Sequence, residues 1–201
     1  MNYGFVRSKI LSTDPVWNSV PNSGLPAEYS YKHLMRGAID QGSLPYCVPY
    51  SLQGCMEVHS ALVKTDYELN ARKLYSDVSK GASGMSIRDA LAAMHEKSYM
   101  VHKDTPGVIS GFALLKSAAS QCRSLLVNGP FIMGLPVCDP SKDDFWVGSA
   151  TGVGHAVCVI GYNSEGFEFR NSWGSSYGNN GFGFIPFGDV PLMLESWTIV
   201  W

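Results

Sequence analysis

The chain has 201 residues, 45% of them hydrophobic, enough apolar surface for one full-sized core held in a single domain or shared by two lobes. With 15 Lys and Arg against 17 Asp and Glu the formal net charge is -2, and no basic stripe or block of like charge occurs, which excludes nucleic acid and anionic membranes as expected partners. No segment approaches the ~18 apolar residues of a membrane span, and the N-terminal residues lack the apolar run of a signal peptide, so a soluble chain is the expectation.

Residues 1–24 are rich in Pro, Asn, Ser and Gly and read as an N-terminal extension, either a strap along the surface or a stub near a cleft. Apolar residues then recur with a helical period from Val48 to about Val63, from about Tyr67 to Val78, and from Ser86 to about Lys97. In the third stretch Ile87, Ala90, Leu91 and Met94 share one face behind a Ser86 cap. A fourth helix is expected from about Phe112 to Val127, ending at Asn128-Gly129-Pro130. Beyond it the pattern turns to short apolar or alternating runs divided by Gly and Asn: FIMGLPV, HAVCVIGY, GFEFRNSW, GFGFIPF and SWTIVW. Helices followed by strands predict an α+β chain, with a helical lobe over about 40–127, a β lobe over about 128–201, and a ligand cleft between.

Within that frame Cys47 opens an apolar helical run, and Pro49 fixes the register, because proline is tolerated in a helix only within the first turn. A thiol at a helix start meets the positive end of the macrodipole and free backbone N–H groups, both of which favour thiolate. A buried structural cysteine is the alternative reading of the same residue. His155 stands at the mouth of an apolar strand behind a glycine-rich turn. Asn171 alternates with Phe167, Phe169 and Trp173 on an apolar face, where an amide needs a partner; a backbone group and the imidazole of His155 are the two candidates. The five cysteines, Cys47, Cys55, Cys122, Cys138 and Cys158, are an odd set without paired short spacings, and suggest neither a disulfide framework nor a zinc site. Cys55, two turns beyond Cys47, reads as core. His155 and Cys158 would hold a metal only with two further ligands, so no metal and no cofactor is expected. Asp139, Asp143 and Asp144 read as a solvated loop.

Cys47, His155 and Asn171, in that order and context, resemble the papain-like cysteine peptidases, the papain and cathepsin family. Gln41 precedes Cys47 by six residues within a Gln-Gly-Ser segment; GHAVCVIGY and NSWGSSYGNNGFGF are similar to the family's His and Asn motifs; LPAEYSYKHL from Leu25 looks like the start of its mature domain. The resemblance implies a papain-like fold, a helical N-terminal lobe packed against an antiparallel barrel-like C-terminal lobe. It implies Cys47 as nucleophile, His155 as its ion-pair partner and proton carrier, Asn171 as the group that orients His155, and Gln41 with the N–H of Cys47 as an oxyanion hole. Trp173 would shield the His–Asn bond. Gly84 and Met85 would pair with a peptide backbone, although a glycine turn ahead of a helix cap explains those two equally well; Gly154 and Ala156 would flank the substrate beside His155. A thiolate–imidazolium pair of this kind brings a cysteine pKa to ~3 to 4.

The departures concern specificity. Leu44 stands where the family carries a cysteine, Val48 where it carries an aromatic residue, and Pro45 and Tyr46 replace small residues. SIRDAL after a glycine turn is closer to bacterial and viral members, for which a cytoplasmic or assembly- or virion-associated setting is the expectation. The function expected is cysteine endopeptidase, with peptide or protein as substrate. Two alternatives stay open: a papain-fold structural or binding component of a larger assembly, and an amidase or transferase acting on a non-protein amide.

Overall fold

The computed structural model describes residues 4–17, 24–79, 84–102, 105–136 and 154–201; Cys138, Asp139, Asp143 and Asp144 lie outside them. In chain order the strands are β1 (Tyr29–Ser30), β2 (Glu68–Leu69), β3 (Met100–His102), β4 (Thr105–Gly107), β5 (Gly111–Leu114), β6 (Phe131–Pro136), β7 (Gly154–Tyr162), β8 (Gly166–Arg170), β9 (Phe182–Pro186) and β10 (Glu195–Val200). The helices are α1 (Cys47–Leu62), α2 (Ala71–Ser79), α3 (Ile87–Glu96) and α4 (Ala118–Asn128).

Local chemistry sets the helix starts, and it moves two of them from where periodicity put them. Cys47 is the first residue of α1 and Pro49 lies in its first turn, as the sequence predicts. Ser86 caps α3 by accepting the Asp89 N–H at 3.1 Å. α2 begins at Ala71 rather than near Tyr67, because Glu68 and Leu69 pair with β3 and Asn70 accepts the Lys73 N–H at 2.9 Å. The fourth helix begins at Ala118 rather than Phe112. There Ser117 and Ser120 form a reciprocal capping box, while Phe112 and Leu114 lie opposite Ile199 and Trp197 of β10. A short apolar run suits a strand as well as a helix, and the partner strand decides.

The main sheet is antiparallel in the order β5-β10-β6-β7-β8-β9, with β1 pairing to the end of β7; β2, β3 and β4 form a second small sheet. Since β5 belongs to the main sheet and α4 packs on β10, β7 and β6, the barrel-like lobe begins near residue 111, not at the expected boundary of 128. Trp197, Phe131, Phe167 and Phe169 fill the barrel-like lobe, and Leu52, Met56, Leu74, Ile87, Leu91 and Met94 the helical one. All of β7 is buried, because α1 lies against it. That approach is close: a Cβ on Gly54 would stand 2.8 Å from Cys158 Sγ, and Cys55 Sγ lies 3.7 Å from the same sulfur. A buried ion pair ties the same two layers, Arg170 Nη1 donating to Glu57 Oε2 at 2.6 Å and to Gly37 O at 3.1 Å.

Residues 4–17 touch both walls and the edge of the sheet. Phe5 bridges Met85 in parallel and Gly154 in antiparallel sense, inside the cleft. Further along, Ser8 bonds Glu195, Asp14 pairs with Arg88 at 2.7 Å, and Leu114 exchanges hydrogen bonds with Pro15 and Trp17. The segment therefore crosses from the cleft to the free edge of β5.

Candidate active site

One wall of the cleft is built by β7, the end of β8 and residues 171–173. His155 Nε2 and Asn171 Oδ1 are 2.7 Å apart, and the same oxygen accepts the backbone N–H of Ser172 at 2.8 Å. An atom that accepts an amide proton is the carbonyl oxygen of the side chain, so Nε2 of His155 must be the donor, and this fixes the tautomer. The indole of Trp173 stacks on the imidazole, with centroids 4.5 Å apart and planes 28° apart, and Tyr177 meets Trp173 edge-on. Asn171 follows the last residue of β8 rather than lying within it.

The other wall is the turn from Asp40 to Tyr46 and the start of α1. Tyr46 makes no side-chain cap to α1, so the first-turn N–H groups are left to the sulfur of Cys47. Backbone N–H groups of Ala156, Gly4, Val48 and Cys47 itself point at that sulfur. The contact with Ala156 places the sulfur one residue from His155. Gln41 is stitched to the opposite wall: its side-chain oxygen accepts from Ser172 Oγ at 2.6 Å, its N–H bonds Ser172 O at 2.8 Å, and its amide nitrogen donates to Leu44 O at 2.8 Å. Ser172 thus touches both Asn171 and Gln41, a link that the sequence reading missed although the residue sits inside the NSWG motif.

Cys47 and His155 each have 0% exposure. Burial pushes the Cys47 thiol up to about 11, against the pull of the surrounding N–H groups, and holds the His155 imidazole down at about 4 despite its bond to Asn171. Burial favours the neutral form of each group in this state. The N-terminal segment lies beside both residues, Phe5 bridging Met85 and Gly154. Met85 donates its N–H to Gly4 O at 2.9 Å and accepts from Val6 N–H at 3.0 Å, so the backbone expected to bind a peptide already holds one. Gly84 lies against Gly4: a Cβ there would stand 2.8 Å from Gly4 O.

The pairing of Phe5 with Met85 is not visible as a period in the sequence, because an isolated bridge leaves none to detect. His155 and Cys158 diverge, one toward Asn171 and the other toward Cys55. Among the described residues no group of three or more His, Cys, Asp and Glu gathers as a metal ion requires, and no helix is long and apolar enough to cross a membrane.

No family model matches the chain. A probable cysteine protease of Arabidopsis thaliana, RD19B, is 24% identical over 89% of this chain and 62% of its own length. An uncharacterized peptidase C1-like protein of Acanthamoeba polyphaga mimivirus is 41% identical over 51 residues, 23% of this chain and 16% of that protein. The chain therefore spans less than two thirds of these relatives. Among solved structures, xylellain, a cysteine protease from Xylella fastidiosa, superposes with a TM-score of 0.84 at 19% identity, over 99% of this chain and 96% of that one. The procathepsin B S9 of Trypanosoma congolense does so at 0.79 and 17% identity, over 98% and 86%. Procathepsin L 3 of the Tenebrio molitor larval midgut gives 0.71 and 18%, over 100% and 76%. The chain thus adopts the papain-like fold, and it is the papain-like cysteine peptidases that it resembles in sequence and in architecture.

Proposed function

We propose that this protein is a cysteine endopeptidase that cleaves peptide bonds through Cys47, His155, Asn171 and Gln41. The observation that carries the reading is the oriented imidazole: a histidine locked into one tautomer by Asn171 beside a cysteine at a helix start. With the cleft open to substrate, the Cys47 proton passes to Nδ1 of His155 and the thiolate attacks the peptide carbonyl carbon. The oxyanion is met by the N–H of Cys47 and by the Gln41 amide, once that amide turns from Leu44 O. His155 returns the proton to the leaving amine, and a thioester to Cys47 remains. Water, deprotonated by His155, then attacks the thioester and frees the acid and the thiol. Asn171 holds the ring through both transfers, and Trp173 excludes water from the bond that aligns it. Gly84, Met85, Gly154 and Ala156 supply the backbone edges on which an extended peptide would lie.

An epoxysuccinyl probe with intact-mass detection, followed by peptide-library cleavage, tests the reading on the wild type, Cys47→Ala and His155→Ala. One equivalent should add at Cys47 only when His155 is present. Cleavage should fall by about 10⁶-fold on loss of the nucleophile, the scale seen when a nucleophile is removed from a comparable hydrolase. Equal cleavage by Cys47→Ala, or probe addition indifferent to His155, would sink it.

A further inference from the structure

Where α1 crosses β7, two cysteines that the proposed reaction does not use face each other. Cys55 Sγ and Cys158 Sγ lie 3.7 Å apart, and both residues have 0% exposure. They stand 103 residues apart in the chain, so no short spacing announces the pair. Cys55 lies two helical turns beyond Cys47, and Cys158 three residues beyond His155. The pair therefore joins the element that carries Cys47 to the element that carries His155. Gly54 permits the approach: a Cβ there would stand 2.8 Å from Cys158 Sγ and 2.9 Å from Arg170 Nη2. The sulfur and the guanidinium nitrogen share one small space against the helix.

Arg170 Nη1 is engaged by Glu57 and by Gly37 O. Its Nη2 is buried without a hydrogen-bond partner among the described residues, a costly state for a charged donor. Burial pushes the Cys55 thiol up, and the charge of Arg170 pulls it the other way. Two thiols in contact have two readings. As packing, they make one weak S–H···S bond, and Nη2 stays without an acceptor. As a dithiol, they are a site of reversible oxidation, and the guanidinium faces the anions through which that reaction passes, thiolate and sulfenate. The second reading gives the buried donor an acceptor, the sulfenate oxygen.

We propose that Cys55 and Cys158 are an oxidisable dithiol that a peroxide converts to a disulfide between α1 and β7. A peroxide suits a buried pair because it is little larger than water. One thiol gives up its proton and attacks a peroxide oxygen. The O–O bond breaks, the sulfur becomes a sulfenic acid, and the other oxygen leaves as water with that proton. The second sulfur then attacks the sulfenic sulfur: the S–S bond forms, the S–O bond breaks, and the hydroxyl leaves as water with the second thiol's proton. The two thiols lose two electrons, the peroxide takes them, and two waters result. The sulfurs close from 3.7 Å to a bond of about 2 Å by turning their side chains, with no side chain on Gly54 to obstruct them. In the oxidised form the helix that begins at Cys47 and the strand that holds His155 are one covalent unit. Neither step involves Cys47, and neither depends on the peptidase reading.

The test is to treat the reduced, folded full-length protein with hydrogen peroxide, block the remaining thiols, and map the peptides for a Cys55–Cys158 link. Wild type, Cys47→Ala, Cys55→Ala and Cys158→Ala are compared. The linked peptide should form in wild type and in Cys47→Ala, vanish on treatment with dithiothreitol, and be absent from the other two. Oxidised wild type should unfold at higher urea than the reduced protein, because a link across 103 residues restricts the unfolded chain, and Cys158→Ala should show no such shift. A folded wild type that yields no linked peptide, or yields it only once urea has unfolded the chain, overturns the proposal and leaves a packing contact. If an alanine variant does not fold, the wild-type map decides, since it reads the link directly. Peptide turnover is no part of the readout, so a failed peptidase reading and a failed dithiol are told apart.

Discussion

The two walls of the cleft are positioned by different means. On the barrel side, His155 is held by side-chain bonds that run from Asn171 through Ser172 to Gln41, beneath the stacked ring of Trp173. On the helical side, no side-chain bond among the described residues aims Cys47. Its place follows from being the first residue of a helix that is buried along most of its length. The difference separates two kinds of precision. The imidazole, whose ring could otherwise rotate, is fixed by directional bonds, whereas the thiol is fixed by the backbone beneath it.

The joint between the walls should show the largest effect when cut. Arg170 and Glu57 are almost wholly buried, with side-chain exposures of 1% and 4%, and they connect the end of β8 to α1. Glu57→Ala leaves the guanidinium without its counter-charge and should lower stability by about 3–5 kcal/mol, read by urea denaturation. Replacing both partners by apolar residues of similar size should restore much of that, since the isolated charge, not the missing bond, is the main penalty. A single variant as stable as wild type would mean that the walls do not depend on this tie.

Acid and alkali should weaken the two walls separately. The folded-state value of His155 is depressed, about 4 against an ordinary value of about 6.5. Between those limits the unfolded chain takes up a proton that the folded chain refuses. Stability present above pH 6.5 is therefore lost on acidification, by about 3 kcal/mol at full extent. Cys47 is the mirror case: its folded value is raised from 9.0 to about 11, so stability is retained below pH 9 and lost as pH rises toward 11. His155→Gln, which keeps a donor for Asn171 but does not titrate, should flatten the acid limb of melting temperature against pH. Cys47→Ala should flatten the alkaline limb, and neither should alter the other. Phe5→Ala should shrink both limbs, because admitting water removes the shared cause.

A smaller loss, confined to the barrel side, is expected from Ser172→Ala. Its hydroxyl is the donor to Gln41 Oε1, and a buried acceptor that loses its donor costs about 1–3 kcal/mol. In the peptidase reading proposed above, Ser172 touches no reacting atom and acts by positioning Gln41. Its loss should lower kcat for peptide cleavage and leave KM nearly unchanged, because Gln41 would serve the oxyanion rather than the bound peptide. A change in KM alone would place Ser172 in the substrate site instead.

The same division explains what the sequence revealed. Cys47 was legible because Pro49, two residues on, fixes the helix register, and β6 to β10 were legible because their residues alternate or run apolar between glycines. The strand nature of Phe112 and Leu114 was not, since only pairing with β10 distinguishes it from a first helical turn. The small sheet of β2, β3 and β4 escaped for the same reason, its strands being too short to carry a period. The place of Phe5 was hidden more deeply. It depends on the ring finding two glycines, Gly134 and Gly154, that stand far from it and from each other in the sequence, where each glycine alone reads as a turn or a strand defect.

Pro49 itself offers the smallest and most discriminating change. Proline in the first turn forfeits no hydrogen bond, because the N–H it lacks has no acceptor there, so its contribution lies mainly in a stiffer unfolded chain. Pro49→Ala should lower stability by only about 0.4–1 kcal/mol. The N–H groups of Cys47 and Val48 stay where the first turn of α1 puts them, and the sulfur keeps its place beside Ala156. Alkylation of Cys47 in a Phe5→Ala background should therefore proceed at the same rate with and without Pro49. A rate that drops with Pro49→Ala while the fold is retained would mean that the proline, and not the burial of α1, aims the thiol, and the helical wall would then depend on a single residue where the barrel wall depends on several.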